Sequence, residues 1–139
     1  MNQSNAGARP PLSFWVVSIA GLLWNSLGAA MYLAAKLRPE LVMADAPPGM
    51  QDYVSHMPLW GHLGWSLGIW ASFAGSVLML LRSRRAGTAF AASLAGALAS
   101  FAEQARAGVL EAAQPILIVI VIVYLWRFST REAAKGTLR

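Results

Sequence analysis

His62 and Glu103 are the residues best placed to do chemistry, because each is ionisable and lies in or beside a long apolar stretch. An ionisable side chain at membrane depth marks a functional site by default. With Tyr32 and Trp65 at similar depth and Asn25 beneath them as a floor, these residues could form a polar site for a small solute in the outer half of a membrane domain. A second reading of His62 stays open, that of an interfacial histidine that water can reach at little cost. Asn25 also has two readings: an amide bonded to a neighbouring helix, or one that contacts a solute. Metal chemistry has little to draw on, since His56 and His62 are not on one helical face and no HExxH pattern exists. With 0 cysteines, thiolate ligands, disulfides and thiol catalysis are excluded. No serine or lysine setting reads as an activated nucleophile, and no glycine-rich loop could cradle phosphate. The residues therefore point to a protein that is not an enzyme and has no cofactor.

Small residues are arranged with more regularity than the reactive ones. Ser18, Gly21, Asn25, Gly28 and Tyr32 recur at spacings of three and four and so share one helical stripe. Gly61, Gly64, Gly68, Ser72 and Gly75 form a second stripe, and Ser93, Gly96, Ser100 and Glu103 a third. Small side chains four apart let helix backbones approach in lipid, where packing drives association. Gly64 and Gly68 are expected to lie against the Gly21–Asn25–Gly28 stripe. Trp15, Trp60 and Trp126 fall near expected membrane interfaces, whereas Trp24, Trp65 and Trp70 lie deeper.

Composition identifies the elements that must carry these stripes. Hydrophobic residues make up 57% of the 139 and charged residues 12%, against about 25% charged in a soluble domain. Lipid-facing side chains need no polarity, so an all-α membrane domain of four spans at 13–35, 58–81, 86–102 and 113–128 accounts for the balance. The first span covers about 34 Å at about 1.5 Å per residue. Pro58, whose missing N–H costs nothing there, is expected to open the second. The run at 116–123 would read as a strand in water, but a lone strand in lipid leaves its backbone unsatisfied, so it is expected to be helical. The third and fourth segments are short enough that a re-entrant hairpin is an alternative to two spans. Residues 1–12 read as a disordered tail, 36–57 as the longest loop with a turn at Pro47-Pro48-Gly49, and 129–139 as a basic tail. Cleavage of the first segment as a signal peptide is a weaker alternative, because the apolar run continues past Gly28-Ala29-Ala30.

Charge sets the orientation. Arg9, Arg82, Arg84, Arg85, Arg127, Arg131, Lys135 and Arg139 fall on one side, and Lys36, Arg38 and Arg106 on the other. This bias places both termini and the arginine hinge in the cytoplasm, with Arg82, Arg84 and Arg85 against anionic headgroups. The net charge of +5 is concentrated at the ends of apolar runs and does not form a nucleic-acid-binding surface.

The stretches LLWNSLGAAMY at 22–32, MPLW at 57–60 and GIWASFAGSVLMLLRSRRA at 68–86 resemble a family of small bacterial inner-membrane proteins. The matching positions are Trp24, Asn25, Gly28, Tyr32, Pro58, Trp60, Trp70, Gly75, Arg82 and Arg84, and the likeness covers residues 13–105. It implies four helices, the bacterial inner membrane and no established activity; members at most carry the label "sugar transporter" without a mechanism. Two departures matter. Met31 stands where the family has an acidic residue, which weakens the case for coupled transport, and Arg85 stands where it has tryptophan.

Two functions are therefore expected. The first is a non-enzymatic protein acting through helix contacts, as an accessory subunit or a homo-oligomer. The second is a small-solute carrier or channel with its polar site in the outer half, complete only as an oligomer.

Overall fold

The computed structural model describes residues 9–139, and among them the chain forms six helices and no strand. The helices are α1 (Leu12–Leu37), α2 (Pro39–Val42), α3 (Met50–Ser55), α4 (Leu59–Leu80), α5 (Ala86–Arg106) and α6 (Ala113–Ala134). Three of them, α1, α4 and α6, are long and apolar enough to cross a membrane. The 21 residues of α5 have the length, about 32 Å, but alanine, glycine and serine dilute their apolarity. The Ile/Val run at 116–123 lies wholly within α6, so its backbone polar groups are paired inside the helix.

The local signals at the helix ends are legible. Pro58 precedes α4 and does not open it: its ψ of 160° is extended, and its carbonyl accepts from the His62 N–H. The stretch at 36–57 is more than a loop. It continues the last turn of α1, then folds Pro39 into α2 and, after Gly49 at φ 84°, builds α3. Helices α4, α5 and α6 each end on a left-handed residue, respectively Arg82, Gly108 and Gly136. In each case the next N–H reaches back five residues, as Ser83 does to the Leu78 carbonyl, which satisfies an otherwise orphaned acceptor.

The long helices run alternately up and down between a loop end, which carries α2 and α3, and a hinge end at residues 81–85. Helix α4 packs closely against α5, and glycine makes that possible. A Cβ on Gly96 would lie 2.6 Å from the Gly68 nitrogen and 2.8 Å from the Gly64 carbonyl oxygen. Ser93 Oγ donates across the same crossing to the Gly68 carbonyl at 2.7 Å. This corrects the partner expected for Gly64 and Gly68: they face α5, not the stripe on α1. The reason is size, since α5 offers Gly96 and Ala97 where α1 offers the bulkier Asn25. Gly75 receives the Phe90 ring of α5, Gly21 faces Leu125 of α6, and Gly28 has only Ile69 near it, at 3.7 Å.

The apolar core gathers at the hinge end around Phe14, Met79, Phe90, Leu125 and Leu138. Phe14 stacks on Phe128 with ring centroids 6.3 Å apart, joining α1 to α6 there. Residues 129–139 are not a free tail. Helix α6 continues through Ala134, Leu138 is 2% exposed, and the Arg139 N–H donates to the Arg82 carbonyl. Leu138 is apolar enough to join the core, and it draws the last residues across the hinge. Of the tail expected at 1–12, residues 1–8 lie outside the described residues, and α1 begins at Leu12.

Candidate functional site

At the loop end the helices part. A cavity of about 500 Å³ opens between α1, α4, α5 and α6 beneath a roof made by α2 and α3. That volume falls in the usual range for small-molecule sites. Its deepest lining residues are Asn25, Ser72 and Ile122, and below them the hinge-end core is closed. The cavity is therefore blind. Leu27 of α1 and Leu117 of α6 both line it and are 61% and 50% exposed. Its mouth thus opens sideways, between two of the apolar helices.

The floor is polar but already satisfied. Asn25 Nδ2 donates to Ser76 Oγ at 2.7 Å and to the Ser72 carbonyl at 3.3 Å, while Asn25 Oδ1 accepts from Ser72 Oγ at 2.8 Å. The amide therefore clamps α1 to α4.

Tyr32 and Trp65 meet edge to face on one wall, with centroids 4.8 Å apart. The Lys36 ammonium lies 4.9 Å from the Trp65 ring centroid and 5.7 Å from that of Tyr32, within cation–π reach. It also meets His62 Nδ1. An ammonium has only donors, so Nδ1 must accept and the imidazole proton sits on Nε2. Among the described residues Lys36 has no carboxylate partner.

Glu103 is elsewhere. Its carboxylate is 5% exposed and accepts from Trp60 Nε1 at 2.8 Å, Arg106 Nε at 2.9 Å and Arg106 Nη2 at 2.5 Å. The expected polar site is thus divided. Asn25, Tyr32 and Trp65 reach the cavity, His62 sits behind Lys36, and Glu103 is held beneath Gly61 on another face of α4. The divergence is helical geometry: His62 and Gly61 are adjacent in sequence and so point about 100° apart. His56 stands apart from both clusters, exposed beside Asp52. Among the described residues no three histidine, aspartate or glutamate side chains converge.

The roof carries groups that sequence reading passed over. Met43, Met50 and Met57 surround the top of the cavity, and Tyr53 is 8% exposed with a hydroxyl that has no hydrogen-bond partner. Burial, and next the Glu103 carboxylate, push the Tyr53 phenol above its ordinary pKa, with Arg106 opposing. It is therefore a neutral donor. Lys36 was legible as a continuation of the α1 stripe, four residues after Tyr32. Nothing in the local pattern around Tyr53 marked it, because its burial depends on the fold of the whole 39–57 segment.

In comparisons with known proteins, no family model, curated protein or solved structure matches this chain.

Proposed function

We propose that the chain is a four-helix bundle of a bacterial cytoplasmic membrane that binds a lipid-soluble molecule without transforming it. In this reading both termini and the arginine hinge face the cytoplasm, and the loop end lies in the outer half. The observation that carries it is the blind cavity, whose mouth opens sideways between the apolar helices α1 and α6. In a membrane such a mouth faces acyl chains, so a solute dissolved in lipid can enter without crossing water. The lysine and arginine bias supports the orientation. The unbroken 21 and 22 residues of α5 and α6 favour two spans over a re-entrant hairpin.

A channel is disfavoured by the closed core below Asn25. A role through helix contacts alone has less to draw on than the stripes suggest, because α4 and α5 engage Gly64, Gly68 and Gly96 with each other. The cavity is complete in one copy, so binding needs no oligomer.

Trp24 and Trp65 line the cavity and report on it. With the protein in lipid nanodiscs, 1,2-dibromoundecane should quench their fluorescence in a saturable manner. Gly28→Leu, which extends a side chain from the α1 wall, should abolish the saturable phase while leaving helical content unchanged. Quenching that only rises linearly, as for lipid-exposed tryptophan, would remove the proposal.

A further inference from the structure

A shallower groove lies at the hinge end, open to the outside between α5 and α6. Gly87 draws the two helices together beneath it, since a Cβ there would lie 3.1 Å from Thr130 Cγ2. The two ends of the groove differ in chemistry. Toward the hinge stand Arg84, Thr88 and Thr130, all three exposed. Toward the middle of the helices stand Ala91 and Trp126, whose indole packs on the hinge-end core and also lines the groove. Helix α5 is about 32 Å long. A spanning α5 therefore sets its first turn, and Arg84 just before it, at the level of one headgroup layer, with Ala91 and Trp126 beside acyl chains.

Charge around the groove is lopsided. No carboxylate lines it, and Arg85, Arg127 and Arg131 are each next in sequence to a lining residue. Among the described residues none of these three, nor Arg84, forms an ion pair. Glu132, the acid of this end, is buried and accepts from Lys135 Nζ at 2.9 Å. Arg82 is turned away, its Nε donating inward to the Thr137 carbonyl at 2.9 Å. Thr130 Oγ1 donates to the Arg127 carbonyl at 2.9 Å. The groove thus offers a phosphate the Arg84 guanidinium and the Thr88 hydroxyl, and it offers nothing to the ammonium of a zwitterionic head.

We infer that this groove binds one anionic glycerophospholipid of the cytoplasmic leaflet, with its phosphate on Arg84 and Thr88 and an acyl chain along Ala91 and Trp126. The inference rests on the membrane placement proposed above and not on the cavity. It is more than diffuse attraction of a basic hinge to headgroups, because Arg84 carries the contact and its neighbour Arg85 does not.

The test weighs the full chain by native mass spectrometry after release from nanodiscs that hold phosphatidylglycerol and phosphatidylcholine in equal amounts. In the species that keeps a single lipid, phosphatidylglycerol should exceed phosphatidylcholine by about ten-fold, the worth of one charge-assisted hydrogen bond. Arg84→Gln should bring that ratio close to one, whereas Arg85→Gln, with the same loss of charge, should keep it. Ala91→Leu leaves every charge in place but fills the groove, and it should lose the retained lipid. Equal effects of Arg84→Gln and Arg85→Gln would reduce the contact to diffuse attraction and overturn the site. Equal retention of the two lipids by the wild type would overturn the anionic head. A dimer that Ala91→Leu dissolves would assign the groove to a second copy and overturn the lipid. Dibromoundecane quenching reads the cavity at the opposite end and reporter fusions read the membrane placement, so each reading fails by its own measurement.

Discussion

Asn25 illustrates how one side chain can be read correctly in type and still be open in role. Its amide lies mid-helix in an apolar segment, where an unpaired group is expensive, and two serines of α4 satisfy it. Asn25→Leu should lower the detergent melting temperature by the equivalent of about 1–2 kcal/mol. A double-mutant cycle with Ser76→Ala should show coupling; additive effects would mean the clamp contributes nothing. Tyr53 gives a prediction of a different kind. Its folded pKa is raised, so the contribution of the neutral phenol to stability is complete below about pH 10 and is lost as pH rises through the folded value. In difference absorbance titrations, the phenolate signal missing from Tyr53→Phe should appear above that of an ordinary tyrosine.

Between elements, the decisive quantity is how near two backbones come. At the α4–α5 crossing, a Cβ on Gly96 would meet backbone atoms of Gly64 and Gly68, which cannot rotate away as a side chain can. Gly96→Ala should therefore cost about 1–3 kcal/mol, as in overpacked cores. Gly28→Ala should be neutral or stabilising, because its nearest neighbour is 3.7 Å away and alanine favours the helix by about 1 kcal/mol. Thermal melts of the two variants in one detergent compare them directly, and equal melting temperatures would contradict the crossing described here. The same crossing explains why α5 reads as weakly apolar. A helix set between α4 and α6 gains more from small side chains that allow close approach than from large ones that face lipid.

For the molecule as a whole, the two ends are built for opposite tasks. The hinge end is closed by aromatic packing and by the return of residues 135–139 over Arg82, while the loop end is held open under a roof. If the proposed orientation holds, reporter fusions after Asp45 and Glu111 should read as periplasmic, and those after Arg85 and Arg139 as cytoplasmic. A cytoplasmic signal at Glu111 would return α5 and α6 to a re-entrant hairpin.

Much of this was written in the sequence. Helical structure, the long apolar helices α1, α4 and α6 and the small-residue faces follow from hydropathy, from the need to pair backbone polar groups in an apolar surrounding, and from the period of the helix. Which stripe meets which was decided only by tertiary structure, because Gly64 and Gly68 fit any small surface and only the assembled chain presents Gly96 to them. The division of His62 from Glu103 has the same origin, since depth along a helix can be counted but its rotation is set by the neighbours it packs against. The cavity is the furthest from sequence of all. It is space left where α1 and α6 part beneath a folded loop, and no residue encodes it alone.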